Sequence, residues 1–219
     1  MRSGLQAIVD AIRDTIPQHR RALVAVDGMG ASGKTTIAST IASRITDRPV
    51  VLLHEDDFFN PAELRHARGR YSPEGFWLDT YNLSALRSWA LDPLAHGDAS
   101  FRARSFDRDT GESIRPRKSS APVRAVVLVE GTFLHRDELA AYWDFSIFLD
   151  IGFEESARRM QIRNGHATSM DPTLLARYHD AQRIYFSAAR PWERASLVID
   201  NSLVERPTII DPSQAAAAR

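Results

Sequence analysis

Short, continuously apolar runs alternate along the chain with longer segments in which apolar side chains recur every three or four positions. The apolar runs cover residues 21–27, 49–54, 123–129, 144–150 and 197–199. The segments with helical spacing cover residues 3–16, 35–47, 82–91, 153–164 and 172–189. Continuously apolar strands are typical of a parallel sheet that is covered on both faces. The pattern therefore predicts an α/β fold, a three-layer sandwich around five parallel strands.

Two segments depart from this alternation. Residues 101–106 alternate apolar and polar side chains before the turn at 109–111, which predicts a β-hairpin over about 100–118. Its arginines fit either a solvated edge ribbon or the wall of an anionic substrate site. A break at 164–166 follows a helix and predicts a lid over about 159–172. We expect one domain over 1–205 and a tail over 206–219 with little to anchor it.

Composition narrows the class of protein. The chain has 219 residues, 43% of them hydrophobic and 26% charged, with a formal net charge of zero. No global field would draw it to nucleic acid or to an anionic membrane, so we expect neither partner. It contains no cysteine, which excludes disulfides and thiolate chemistry and suits a reducing cytoplasm. There is no signal-peptide core and no apolar stretch of membrane-spanning length.

The first apolar run leads into Gly28-Met29-Gly30-Ala31-Ser32-Gly33-Lys34-Thr35, which reads G-x-x-x-x-G-K-T. A strand, this loop and a helix form the context in which the motif binds a nucleoside triphosphate. Lys34 would reach the β- and γ-phosphates, and the Thr35 hydroxyl would hold Mg²⁺. The predicted ATP-binding residues are Gly28, Gly30, Ala31, Ser32, Gly33, Lys34, Thr35 and Thr36.

The same loop also spells G-x-G-x-x-G, the dinucleotide fingerprint, and Glu55 and Asp56 lie at the end of the next strand. Lys34 and Thr35 decide against that interpretation, because a dinucleotide offers them neither a γ-phosphate nor a metal. Lysine is also rare here: only Lys34 and Lys118 occur among 28 basic residues. The choice of a compact point charge at the loop supports the triphosphate interpretation.

Acidic residues follow several of the predicted strands. Ligands of parallel sheets bind at the carboxyl ends of the strands, so these carboxylates should gather beside the phosphates. Glu130 ends the third strand, where an acid of a phosphate-binding fold contacts Mg²⁺. Asp56 and Asp57 compete for the role of the base that accepts a proton from an attacking hydroxyl. Arg159 and Arg163, one helical turn apart, could neutralise the migrating phosphoryl group.

These motifs together resemble the uridine kinase family, within the wider group of phosphoribulokinase and bacterial pantothenate kinase. The marks are the loop at 28–36, His54-Glu55-Asp56-Asp57-Phe58-Phe59, Val129-Glu130-Gly131-Thr132-Phe133-Leu134 and the helix with Arg159 and Arg163. The resemblance implies a sheet ordered 2-3-1-4-5, with ATP and Mg²⁺ as donor and metal. It also implies that Asp56 is the catalytic base and a third candidate for the metal, next to Thr35 and Glu130.

The acceptor half of the match is weaker. The resemblance implies substrate contacts for Asp57, Tyr71, Phe76, Asp79, Phe106 and Arg108. The hairpin has Phe106-Asp107-Arg108 where uridine kinases carry Tyr-Asp-Phe, and it has no histidine nearby. We expect a kinase of a small molecule, with a nucleoside as first choice and pantothenate, a sugar or a sugar phosphate as alternatives. A nucleotide-hydrolysing switch protein is the alternative from another class. A homodimer is compatible with the resemblance.

Overall fold

The computed structural model describes residues 4–98, 100–163 and 171–218. Its strands are β1 (Ala22–Gly28), β2 (Val50–His54), β3 (Ser100–Phe101), β4 (Phe106–Asp107), β5 (Glu112–Ser113), β6 (Ser119–Ser120), β7 (Val126–Gly131), β8 (Phe145–Asp150), β9 (Leu197–Asp200) and β10 (Thr208–Ile210). Its α-helices are α1 (Gly4–Thr15), α2 (Lys34–Arg44), α3 (Ala62–Arg65), α4 (Pro73–Asp79), α5 (Leu83–Ala85), α6 (Asp92–Ala95), α7 (Asp137–Ala140), α8 (Phe153–Arg163), α9 (Pro172–Ala189) and α10 (Pro191–Arg194). A π-helical stretch, Leu86–Leu91, joins α5 to α6.

The main sheet has six strands in the order β10-β9-β8-β1-β7-β2. The five strands from β2 to β9 pair in parallel in the order β2-β7-β1-β8-β9. Numbered one to five along the chain, these strands have the predicted order 2-3-1-4-5. The sixth strand, β10, is antiparallel to β9. The sheet therefore has one edge strand more than the five that were expected. This strand is only three residues long and largely exposed, so it leaves no strand pattern in the sequence.

Apolar side chains of successive residues in β1 point to opposite faces of the sheet, and each face has its own core. Val24 and Val26 pack with α1 and α2, whereas Leu23 and Ala25 pack with the helical segment 83–95. A third cluster, around Phe133 and Tyr185, lies beneath α9. The three-layer α/β sandwich is therefore confirmed, and the long hydrophobic strands are the reason that it forms.

The tail was expected to be unanchored, and the structure corrects this. Besides β10, the backbone N–H groups of Ala216 and Ala217 donate hydrogen bonds of 2.6 and 3.1 Å to the carboxylate of Asp150. Ala215 is fully buried among the aromatic residues under α9. Small alanine side chains let the tail backbone approach the end of β8 closely. Composition alone gave no sign of that contact.

The predicted hairpin exists as two short antiparallel ladders. β3 pairs with β6 and β4 pairs with β5, so the ribbon runs from Ser100 to Ser120. The predicted lid is described only in part: residues 159–163 form the end of α8, and residues 164–170, including the predicted break at Gly165, lie outside the described residues. Residues 60–80, which are rich in turn formers, contain the short helices α3 and α4.

Candidate active site

A cavity of about 570 Å³ opens at the carboxyl ends of β1, β2 and β7. Its walls come from the phosphate loop, from the segments after β2 and β7, and from α8 and α9. Of the residues predicted from the sequence, those that line it are Gly30, Ala31, Gly33, Lys34, Thr35, Thr36, Asp56, Phe76, Glu130, Arg159 and Arg163. The fold thus brings the predicted donor, metal and base residues to one place.

Four side chains, one from the phosphate loop itself and three from α8 and the end of β9, hold four successive carbonyl groups of that loop. Lys34 donates to the carbonyl of Met29 at 2.9 Å, and Ser156 donates to that of Gly30 at 2.8 Å. Arg159 reaches the carbonyl of Ala31 at 3.5 Å, and Asn201 donates to that of Ser32 at 2.7 Å. These contacts fix the backbone of the loop. The N–H groups of Gly28 and Ser32 already donate to Asp27 and to the carbonyl of Met29, so the remaining N–H groups of the loop are the candidates for binding a phosphate. A concave row of N–H groups is a binding site for anionic oxygens.

The backbone of the loop requires a glycine at position 33, whereas Gly30 lies against the end of a flexible side chain. Gly33 has φ +93, and a Cβ there would lie 2.7 Å from the Asn201 amide nitrogen. A Cβ on Gly30 would lie 2.3 Å from the methyl carbon of Met160. Ala31 adopts a left-handed conformation with φ 61 although it carries a side chain. Backbone strain of this kind collects at functional sites. Gly28 and Ser32 shape the loop without lining the cavity, and Ser32 is fully buried.

Glu130 joins the loop to the second strand. Its Oε1 accepts a hydrogen bond of 3.1 Å from the Thr35 hydroxyl and lies 2.7 Å from Nδ1 of His54. Burial raises the pKa of Glu130, but the hydrogen bond from His54 and the charge of Lys34 outweigh it, so the pKa lies below its usual value. The same hydrogen bond raises the pKa of His54. Glu130 is therefore an ionised carboxylate beside the Thr35 hydroxyl.

Asp56 lies on the cavity wall, and its Oδ1 accepts a hydrogen bond of 3.2 Å from the Tyr81 hydroxyl. Burial raises the pKa of Asp56, and the positive charge of Lys34 opposes that rise without cancelling it. A carboxylate with a raised pKa is a better proton acceptor than an ordinary one. Asp57 does not line the cavity; its carbonyl accepts from the N–H of Ser105 and so supports the hairpin.

Two other acids at strand ends, Asp27 and Glu55, are buried in the protein interior and do not line the cavity. Asp27 is fully buried and accepts from Nδ1 of His135 at 2.7 Å, from the Tyr185 hydroxyl and from backbone N–H groups. Glu55 is also fully buried, and its Oε2 accepts from the N–H of Thr132 at 2.8 Å. Burial raises the pKa of Glu55 well above its usual value. Glu55 was therefore a poor candidate for the ribose-binding acid of a dinucleotide site, since its carboxylate faces the core.

The predicted acceptor residues are dispersed. Arg108 lies at the mouth, 3.9 Å from Asp56 and 3.8 Å from Asp57. Phe106 is buried against the ring of Phe59, which itself lines the cavity. The structure does not bring Tyr71 or Asp79 to the cavity.

Tyr71 is exposed, and the Asp79 carboxylate forms a 2.9 Å salt bridge with Arg68. The helix α4 presents Phe76, another of the predicted residues, to the cavity.

The two arginines of α8 differ in their surroundings. Arg159 is held by Glu155 at 2.6 Å and donates to the carbonyls of Asn201 and Ser202 at 2.7 and 2.9 Å. It thereby ties the end of β9 to the phosphate loop. Arg163 lines the cavity near its exposed edge and has no hydrogen-bond or ion-pair partner among the described residues. Of the two, Arg163 has the guanidinium that is available to a ligand.

Sequence reasoning missed a group of aromatic and polar residues on the acceptor side: Phe59, Tyr81, Tyr178, His179 and Gln182. Tyr178 and Gln182 lie one turn apart on α9, so they share a face, but nothing in the sequence said which face of that helix meets the cavity. Nε2 of His179 and Oε1 of Gln182 are buried without a hydrogen-bond partner among the described residues. Both atoms are suited to contact a ligand.

The residues around the loop fit a magnesium ion. Mg²⁺ is bound in such sites by one or two protein oxygens together with phosphate oxygens and water. The Thr35 hydroxyl and the Glu130 carboxylate already meet at 3.1 Å, with Asp56 on the same wall. Within the described ranges, no cluster of three or more histidine, cysteine or acidic side chains is arranged to hold a metal by itself. The geometry therefore suits a metal that arrives with a phosphate ligand.

Comparisons with known proteins agree with this geometry. No protein-family model matches the chain. Uridine kinase-like protein 5 of Arabidopsis thaliana is 28% identical over 143 residues, which cover 64% of this chain and 30% of that protein. A possible uridine kinase from Bacillus stearothermophilus superposes with a TM-score of 0.70 at 20% identity, over 89% of this chain and 96% of that one. The chain has the uridine kinase-like P-loop kinase fold.

A second solved structure shares this kinase fold, a protein described as a fructose transport system kinase from Silicibacter sp. TM1040. It superposes with a TM-score of 0.68 at 24% identity, over 84% of this chain and 95% of that one. The resemblance found in the sequence is confirmed at the level of the fold. The names of these two structures refer to a nucleoside in one case and to a sugar in the other, and they do not identify an acceptor for this chain.

Proposed function

We propose that the protein is an ATP- and Mg²⁺-dependent kinase that transfers the γ-phosphate to a hydroxyl group of a small molecule. The observation that carries the proposal is the placement of Asp56, whose pKa is raised, on the same cavity wall as the phosphate loop, Thr35 and Glu130. Phosphoryl transfer needs a cradle for the donor, a metal and a positioned acceptor, and this cavity offers residues for each.

In the proposed reaction the N–H groups of the loop and Lys34 bind the β- and γ-phosphates of ATP. Asp56 accepts the proton of the acceptor hydroxyl while that oxygen forms a bond to the γ-phosphorus, and ADP leaves with the electron pair of the broken bond. Thr35 and Glu130 would hold Mg²⁺, which would neutralise part of the charge on the phosphates when bound. Arg163 adds positive charge at the edge of the cavity.

The nucleoside acceptor favoured by the resemblance receives limited support. Asp79, one of the substrate contacts implied by the resemblance, forms a salt bridge with Arg68 and does not line the cavity. The aromatic walls formed by Phe59, Phe76 and Tyr178 would suit a base or a sugar face equally well. The acceptor class that we propose is therefore a small alcohol, with nucleosides, sugars, sugar phosphates and pantothenate as its candidate members.

The test is a panel of acceptors incubated with Mg-ATP, with ADP formation and the phosphorylated product measured separately. We expect ADP and product to appear in equal amounts with at least one alcohol. ADP formation that needs no acceptor and leaves no organic phosphate would instead support the nucleotide-hydrolysing switch, which lacks further sequence support.

The expectations about cellular setting stay predictions. None of the described helices has the length and apolar character that crossing a bilayer requires. The absence of cysteine suits a reducing cytoplasm, and a cytoplasmic location stays a prediction. The homodimer and the absence of nucleic-acid and membrane partners are likewise predictions from sequence.

A further inference from the structure

Two arginines pack behind aromatic residues of the cavity wall, without lining the cavity themselves, and have no counter-charge among the described residues. Arg177, in the first turns of α9, is only 6% exposed, and Arg65 ends α3. Neither forms a salt bridge or a hydrogen bond to any described residue, and the Nε of each is buried without a partner. Burying an unpaired guanidinium is costly, so a bound partner that supplies the missing charge would be strongly favoured.

Both guanidinium groups pack on rings that belong to the cavity wall. The Arg177 guanidinium lies 5.0 Å from the centre of the Phe76 ring and 5.7 Å from that of Tyr178. The Arg65 guanidinium lies 5.1 Å from the centre of Phe59. These stacking contacts orient the two cations.

The two cations also belong to one electrostatic group. Burial lowers the pKa of Arg177, and the charges of Arg65 and Arg70 lower it further, so these side chains lie near one another. Arg65, Arg70 and Arg177 act together on His66, whose pKa lies below its usual value because of burial and these three charges. By contrast Arg183, further along α9, is paired with Asp180 at 2.6 Å. Buried Arg21 and Arg48 lack an acidic partner too, but their guanidinium groups donate to backbone carbonyls, which those of Arg177 and Arg65 do not do within the described residues.

The relation to the base fixes what such a site could bind. The Asp56 carboxylate accepts a hydrogen bond from the Tyr81 hydroxyl. The Tyr81 ring stacks on the Phe59 ring with 5.3 Å between ring centres, and the Arg65 guanidinium lies over that Phe59 ring. A ligand that places a hydroxyl at Asp56 and lies along these rings would bring its far end to the arginines. Guanidinium groups recognise phosphate and carboxylate through paired hydrogen bonds.

We infer that the acceptor is a small hydroxylated molecule that also carries an anionic group, a phosphate or a carboxylate, and that Arg177 and Arg65 bind this group. The inference rests on the proposed kinase function and narrows its acceptor class. It disfavours uncharged nucleosides and sugars, because neither offers a counter-charge to the two guanidinium groups.

The test compares acceptors that differ only in charge: glycerate with glycerol, and ribose 5-phosphate with ribose, each with Mg-ATP. We expect kcat/KM to be at least about tenfold higher for an anionic member than for its neutral partner, the ratio expected from one charge-assisted hydrogen bond. Whether the carboxylate or the phosphate pair shows the effect identifies the anion.

Arg177→Gln should remove most of this preference through KM while leaving the KM for ATP unchanged, and Arg177→Lys should restore part of it. Arg183→Gln, on the same helix, is the matched control and should keep the preference. Thermal melting checks that each variant is folded. If Arg177→Gln does not fold, Arg65→Gln is used in its place. An unchanged preference in a folded Arg177→Gln and Arg65→Gln pair overturns the inference.

Binding measured by calorimetry with a non-hydrolysable ATP analogue separates this inference from the proposed function. Transfer only to neutral acceptors would overturn the inference and leave the kinase intact. Anionic compounds that bind the wild type, lose binding in Arg177→Gln and are never phosphorylated would overturn the kinase and leave anion recognition intact. If the protein transfers phosphate to no acceptor and binds no anionic compound, both the proposed kinase function and the inference are overturned.

Discussion

The hydroxyl of Thr35 donates a 3.1 Å hydrogen bond to Oε1 of Glu130, which lies 95 residues further along the chain. The same oxygen lies 2.7 Å from Nδ1 of His54, on the strand at the edge of the sheet. Three parallel segments, β1 with its loop, β2 and β7, therefore converge on one carboxylate oxygen. The contact places the two proposed metal-binding groups together.

Glu130→Gln should raise the magnesium concentration that gives half-maximal activity. Replacing the carboxylate with an amide keeps the shape and removes the negative charge that would bind the metal. We expect kcat to fall by about 10²-fold or more, within the range that electrostatic groups contribute in active sites. A magnesium titration of the steady-state rate measures both effects. Glu154→Gln, an exposed change on α8, is the control, and an unchanged magnesium requirement in Glu130→Gln would contradict the assignment.

Asp56→Asn should abolish transfer with little effect on ATP affinity. The amide keeps an oxygen that can accept from Tyr81 but cannot take the proton of the acceptor hydroxyl. General bases contribute about 10²–10⁴-fold to such rates. A single-turnover assay measures the rate of phosphoryl transfer, and calorimetry measures the affinity for ATP. Asp57→Asn is the companion variant; if it loses transfer while Asp56→Asn keeps it, the base is Asp57.

Arg159→Met and Arg163→Met should separate positioning from charge stabilisation. Arg159 ties Ala31, Asn201 and Ser202 together, so its loss should lower both the melting temperature and kcat. Arg163 has no described partner, so its loss should lower kcat by about tenfold or more, as for other arginines that face a migrating phosphoryl group, without a change in melting temperature. Melting curves and steady-state rates check the pair. Equal melting shifts for both variants would contradict the distinction.

Asp27→Asn should destabilise the fold and flatten its acid dependence. Burial raises the pKa of Asp27, but the hydrogen bonds from His135 and Tyr185 and the charge of Lys34 bring it below its usual value. The unfolded chain therefore takes up this proton at a higher pH than the folded chain, with an unfolded pKa near about 3.9.

The stabilisation by Asp27 should be complete above about pH 5 and lost as the pH falls through its lower folded pKa. We expect Asp27→Asn to cost about 3 kcal/mol at neutral pH, since several hydrogen bonds to a buried charge are weakened. Urea unfolding between pH 3 and 7 measures both, with the exposed Asp14→Asn as control. An equal pH dependence in wild type and Asp27→Asn would show that other groups control acid stability.

The sequence by itself determined the parallel sheet and the phosphate-loop motif, and it predicted the donor half of the site. Short apolar runs that alternate with helical segments are typical of a sheet covered on both faces, and Gly33, Lys34 and Thr35 lie in a motif whose geometry is local. The chemistry of Glu130 and Asp56 followed from their positions at strand ends, because parallel strands bring those ends to one edge.

Only the tertiary structure decided what surrounds that chemistry. The contacts of Ser156, Arg159 and Asn201 with the loop join segments that are far apart in sequence, and no local pattern encodes them. Asp79 and Tyr71 fell outside the cavity, whereas Arg177 came beside it, because the packing of α4 against α9 sets which helix faces meet. Long-range packing selects among side chains that look alike in sequence, since burial and pairing are properties of the folded chain alone.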